Sequence, residues 1–141
     1  MRRTLMSLVM GLWLAVLGVV VYGQDPKDPN AGWKLPKTAA TEKNPLPVND
    51  GMLAAGKKVY TAKCARCHGP AGEGDGVDAD ADLKKEMDLT RADRAAANPD
   101  GIVFHKVWEG RTEPRMPAFQ DQLSKEQIWA VVVYAQTLRK K

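Results

Sequence analysis

Both cysteines of this 141-residue chain, and one of its two histidines, fall within five residues, Cys64-Ala-Arg-Cys67-His68. That cluster decides which covalent or metal chemistry can organise the fold. A disulfide between Cys64 and Cys67 closes a very small loop and adds little stability. A structural zinc site takes four Cys or His ligands, and the chain offers only these three and a distant His105. A redox dithiol of the thioredoxin kind expects a preceding strand in a βαβ setting, whereas helical periodicity precedes this motif. C-x-x-C-H is also the spacing that attaches haem. Two thiols add to the two vinyl groups on one porphyrin edge, and His68, the next residue, is held beneath the iron as proximal ligand.

The start of the chain sets the compartment. Residues 1–23 read as a targeting segment: Arg2 and Arg3, then 18 uncharged residues over 5–22. The run exceeds an ordinary signal-peptide core of about 7–15 residues and just reaches the roughly 17–25 needed to span a bilayer. It is either a cleaved signal peptide or a retained membrane anchor through 5–22. Both place the rest outside the cytoplasmic membrane, in a bacterial periplasm, where cysteines meet oxidising conditions. From residue 24 onward 19 basic residues stand against 17 acidic ones, too even a balance to argue for nucleic acid.

Residues 24–49 carry five of the nine prolines and no apolar period, which predicts an extended linker. Trp33 and Leu35 are candidates to dock on the domain that follows. The domain itself occupies 50–141. A first helix is expected from Asn49 or Asp50, with Leu53, Gly56, Val59 and Tyr60 on one face. After the cysteines comes a loop, 69–76, with four glycines in eight residues. An acidic stretch follows to Asp88 and reads as a solvated face. Asn98, Pro99 and Gly110 mark a second helix as cap, first residue and terminator. Ser124 and Gln127 make a capping box for a third, with Leu123 and Ile128 as its hydrophobic staple. Ile128, Val131, Val132, Ala135 and Leu138 form its buried stripe. Arg139, Lys140 and Lys141 suit its C-terminus. No alternating strand of useful length appears, so the domain is all-α. It has more loop than a core of this size stabilises unaided, a deficit that a large apolar group at its centre repairs.

A haem iron held by His68 needs a sixth ligand. The candidates are Met116, His105, Met87 and Met52. Met116 lies between Pro114 and Pro117, where an irregular loop presents a side chain free of any helix axis, and it is preferred. His105 reads as a rim histidine, with bis-histidine ligation as the rival. A thioether ligand raises the haem potential relative to imidazole and fills the iron.

The segments GKKVYTAKCARCHGPAGEGDG, MDLT, GIVFHKVWEGRTEPRMPAF and QIWAVVVYAQTL resemble the class I c-type cytochromes, small single-haem electron carriers and their membrane-linked bacterial relatives. The resemblance covers about residues 49–138. It implies an all-α fold wrapped around one covalently bound haem c and its iron, with one edge exposed. It also implies a close crossing of the first and last helices, in which Gly56, Tyr60, Trp129 and Tyr134 match the contact positions. It assigns Cys64 and Cys67 as thioether links, His68 as proximal and Met116 as distal ligand. Relatives often carry a proline after the glycine loop whose carbonyl orients the haem histidine. Here Val77 stands there, which leaves the partner of His68 open, although a valine carbonyl can serve as well.

The function this implies is one-electron transfer in a respiratory or photosynthetic chain, with redox proteins, above all membrane complexes, as partners and no small-molecule substrate. Lys57, Lys58, Lys63, Arg66, Arg111 and Arg115 are expected to ring the exposed edge and steer an acidic partner, unless they are ordinary solvated charges. Two other readings stand beside it: a tethered cytochrome c subunit of a larger membrane oxidoreductase complex, and a haem sensor or peroxidase-like protein with a labile sixth ligand.

Overall fold

A computed structural model describes residues 28–140, and the expected signal or anchor lies outside those residues. The domain begins where Asn49 caps α1 (Asp50–Val59), its side-chain oxygen accepting from the Met52 N–H at 2.9 Å. The helix does not stop at Val59. It widens into one π turn (Tyr60–Cys64) and tightens again as α2 (Ala65–His68), so both cysteines and His68 sit on one continuous helical rod. Residues 69–80 are loop. The acidic stretch folds into a 3-10 turn (Ala81–Leu83) and one turn of α-helix, α3 (Lys84–Met87). A further 3-10 turn (Ala92–Arg94) leads to α4 (Asp100–Glu109), and α5 (Lys125–Thr137) closes the domain. Among the described residues there are no strands, only isolated bridges between Glu73 and Asp88 and between Arg111 and Met116.

The first and last helices cross closely because Gly56 has no side chain. A Cβ there would overlap the carbonyl group of Ala130 and lie 2.9 Å from Cβ of Tyr134. One turn on, the Tyr60 and Tyr134 rings meet at 5.3 Å between centroids. The second contact layer is α4 on α5, where Phe104 stacks on Trp129 at 4.4 Å. These two rings, with Val107, Phe119, Ile128 and Val132, form the buried cluster. Burying each such side chain stabilises the fold by about 1.5–3 kcal/mol.

Local signals place α5 well. Ser124 Oγ accepts from the Gln127 N–H and the Gln127 side chain accepts from the Ser124 N–H, the complete capping box. Leu123 packs against the cluster that holds Ile128. The start of α4 differs from the expectation by one residue. Pro99 occupies the cap position without a side-chain bond. Asn98 is diverted: its Oδ1 accepts from Lys106 Nζ and its Nδ2 donates to the Arg94 carbonyl.

The proline-rich segment is not a free tether where it is described. Residues 28–49 form no helix or strand but lie against α4. Ala39 is wholly buried, and a Cβ on Gly101 would overlap its carbonyl oxygen. Glu42 bonds His105 at 2.7 Å, and Asn30 Nδ2 donates to the Ala97 carbonyl. Trp33 docks, as its apolar bulk suggests, with Lys106 and Arg111 against its ring. Proline removes backbone donors, so the segment attaches through individual side chains rather than a ladder.

Candidate haem site

A cavity of about 450 Å³ opens between the helical rod, α4, α5 and the loops. That is within the usual range of about 300–1,000 Å³ for ligand pockets. Cys64, Cys67 and His68 line it, as do Met116, Val107 and Val132. Both cysteines are half-buried, and no disulfide joins them. Burial, and then Cys67 beside it, push the Cys64 thiol up to about 12. Among the described residues no three His, Cys, Asp or Glu side chains come together as a metal-ligand set, so the geometry does not build a four-ligand zinc site.

His68 is oriented from behind. Its Nδ1 lies 2.7 Å from the Met87 carbonyl oxygen. A carbonyl oxygen only accepts, so Nδ1 carries the hydrogen and donates, and Nε2 keeps its lone pair. Burial lowers the His68 pKa below its ordinary value, and the bond to Met87 opposes that only in part. The imidazole is therefore neutral near pH 7, the form that ligates a metal. The orienting carbonyl belongs to Met87 and not to Val77. The acidic stretch thus has a structural task, since its helical turn α3 delivers that carbonyl.

The other ligand candidates separate cleanly. Met116 lines the cavity and packs against the core cluster. It is fixed by two backbone bonds with Arg111, each 2.8 Å. Gly110 permits this tight loop: its φ of +65° ends α4 in a conformation open to glycine. Met87 also lines the cavity, but its backbone is committed at Nδ1, the side of the imidazole away from Nε2. Met52 does not line it and instead accepts from Asn44 at 3.6 Å. His105 is likewise absent from the wall, and its Nε2 is engaged by Glu42.

The expected ring of bases is only partly present. Lys63, Arg111 and Arg115 line the cavity, but Lys57 and Lys58 do not. Arg66 is paired with Asp78 through two bonds of 2.5 and 2.9 Å. Unforeseen are Arg94, Lys106 and Arg139, which also line the wall. Arg139 does more than complement a helix end, since its guanidinium donates to the Asn98 and Ala95 carbonyls.

The residues fit haem c: a paired thiol motif and a lone-pair imidazole on one wall, a thioether on another, and apolar side chains between. The family described as cytochrome C oxidase, cbb3-type, subunit III matches residues 51–134. Cytochrome c6 of Parathermosynechococcus lividus is 37% identical over 82 residues, which are 58% of this chain and 85% of that protein. Cytochrome c6 of a Synechococcus strain is also 37% identical, over 66% of its length. Among solved structures, a reducing HAO-like protein complex of Kuenenia stuttgartiensis aligns at a TM-score of 0.57 and 29% identity. That match covers 69% of this chain and 48% of the other. The c-type cytochrome KustC0563 aligns at 0.50 and 27%, over 60% of this chain and 98% of its own. The chain belongs to the class I mono-haem c-type cytochromes, and its cofactor is one covalently bound haem c with its iron. Its activity is haem c electron transfer.

Proposed function

We propose that the protein is a one-electron carrier in which Cys64 and Cys67 form the thioether links and His68 and Met116 are the axial ligands. Haem c, when bound, supplies a reversible one-electron couple. The residues of the chain do the rest. Met87 holds the His68 tautomer through Nδ1, so Nε2 would be the atom that ligates the iron. The Arg111–Met116 backbone pair holds the thioether on a loop that does not have to move. Val107, Val132 and Phe119 give the cavity an apolar wall. Ligands held in this way would leave little structure to reorganise between the two charge states. The observation that carries this reading is the cavity shared by Cys64, Cys67, His68 and Met116.

The domain 50–141 is the electron-transfer unit, working outside the cytoplasmic membrane behind a signal or anchor at 1–23, with redox proteins as partners. A tethered subunit of a larger membrane complex is the second reading. It is favoured by the oxidase-subunit description of the matching family and by the likeness to a chain of an HAO-like complex.

Intact mass under denaturing conditions tests the attachment. One added haem, lost in Cys64→Ala with Cys67→Ala, is expected, and a haem-free wild type overturns the reading. The same mass shows whether residues 1–23 remain. Carbon monoxide tests ligation: the ferrous spectrum stays unchanged in the wild type and changes in Met116→Ala. A wild type that binds it readily points to the sensor or peroxidase reading.

A further inference from the structure

One stretch of the cavity wall is cationic, and although Glu86 and Glu113 also line the cavity, no ion pair among the described residues holds these cations. Arg94, Lys106, Arg111 and Arg139 all line the cavity, and they come from four separate elements. Each is bonded to neutral oxygens. Arg94 donates to the Glu86 and Lys85 carbonyls, and Lys106 to Asn98 Oδ1 at 2.7 Å. Arg111 donates to the Pro114 carbonyl, and Arg139 to those of Ala95 and Asn98. The ion pairs among the described residues are Arg66–Asp78, Arg91–Asp93, His105–Glu42 and Lys140–Glu73, and none uses these four cations.

Lys106 is the most enclosed, with 7% of its surface exposed. Burial, then repulsion from Arg94 and Arg111, push its pKa down to about 8, opposed by Asp28. Clustered, desolvated cations without an ion-pair partner are costly. One partner is present but does not cancel charge. The Trp33 ring lies 5.1 Å from Lys106 Nζ and 4.3 Å from Arg111 Cζ, contacts in which the ring face attracts the cation. Trp33 itself lines the cavity, yet it precedes residues 51–134, the part that matches the family. Haem carries two propionate carboxylates, which are two negative charges on an otherwise apolar ring.

We propose that Lys106 and Arg111, held on the Trp33 ring and backed by Arg94 and Arg139, receive the haem propionates, and that the segment 28–49 is thereby a wall of the haem site. This rests on haem c occupying the cavity. The wall fixes how the ring lies between His68 and Met116. Positive charge beside the haem favours the reduced state, so the wall also raises the potential.

The test uses the holoprotein, with intact mass taken first, so that failure of attachment is told apart from failure of this proposal. Spectroelectrochemical titration compares the wild type with Lys106→Met, Lys106→Arg and Lys58→Met, the last removing a charge from outside the cavity wall. At the wild-type midpoint, Lys106→Met lowers the reduced-to-oxidised ratio several-fold, a tenfold change being about 59 mV for one electron. Lys106→Arg restores most of it, and Lys58→Met changes it far less. A shift in Lys106→Met no larger than in Lys58→Met overturns the proposal. If the cluster instead takes a carboxylate of a partner protein, Lys106→Met slows the partner reaction while the potential stays put, which also overturns it. A second measurement needs no variant. Infrared spectra of protein with carbon-13 in the haem carboxylates are expected to show a propionate band that moves between native and guanidinium-unfolded protein. An unmoved band refutes the contact even if Lys106→Met fails to fold.

Discussion

Replacing Gly56 with alanine tests the crossing on which the domain is built. In an exposed helix the change would be favourable, because glycine is about 0.8–1 kcal/mol worse than alanine in a helix interior. Here the new methyl meets backbone. It overlaps the Ala130 carbonyl oxygen and lies 2.7 Å from its carbon, and neither can swing aside as a side-chain tip does. The helices must separate, loosening the Tyr60–Tyr134 contact one turn away. Overpacking of this kind costs about 1–3 kcal/mol and occasionally more. The backbone contact puts Gly56 at the upper end, so the net loss after the propensity gain is about 1–2 kcal/mol. For a domain of this size, that lowers Tm by roughly 5–15 °C. The assay is thermal melting of the oxidised holoprotein by far-ultraviolet circular dichroism. Gly51→Ala, where the new methyl meets only Asn49 Oδ1 at 3.2 Å, serves as control and is expected to change Tm little. A Gly56→Ala protein that melts at or above the wild type would show that α1 and α5 do not cross as described.

Three further outcomes are expected. Tyr60→Phe removes the hydroxyl that donates to the Gly69 carbonyl at 2.7 Å; the Gly72 N–H still bonds that oxygen at 3.1 Å, so the loss is that of one hydrogen bond, about 0.5–1.5 kcal/mol, read as a lower urea midpoint. Ser124→Ala removes the cap of α5 and costs about 0.5–2 kcal/mol with the reduction potential unchanged; a shifted potential would mean that α5 sets more than stability. Burial raises the Asp88 pKa, but its bonds from the Thr90 hydroxyl and N–H outweigh that and leave it below its ordinary value of 3.8. A depressed carboxyl contributes stability above its unfolded pKa and loses it as pH falls through the folded one. Asp88→Asn is therefore expected to destabilise at pH 7 and to flatten the loss of stability below about pH 4, measured by urea midpoints across that range.

What was legible in the sequence was local. The capping box of α5 and the cap of α1, expected at Asn49 or Asp50 and found at Asn49, depend on residues a few positions apart; the Cys64–His68 motif is equally local, five consecutive residues on one helical rod. What was not legible depends on distant partners. Asn98 reads as a cap until Lys106 and Arg94 are seen to claim its side chain. The carbonyl behind His68 comes from Met87, 19 residues on, because a glycine-rich loop permits several paths and its sequence does not say which peptide arrives. The segment 28–49 has no apolar period, so although the bulk of Trp33 marks it as a docking candidate, the contacts of Ala39 and Glu42 leave no pattern to read. The cationic wall draws on residues from 94 to 139, and only the packing of α4 on α5 brings them together.

The axial pair is tested most directly by nuclear magnetic resonance of the reduced holoprotein with carbon-13 in its methionine methyl groups. The chain has six methionines. The account predicts one methyl resonance displaced far from the others by the haem ring current, lost in Met116→Leu and kept in Met87→Leu and Met52→Leu. A displaced resonance that survives Met116→Leu, or no displaced resonance at all, would contradict it.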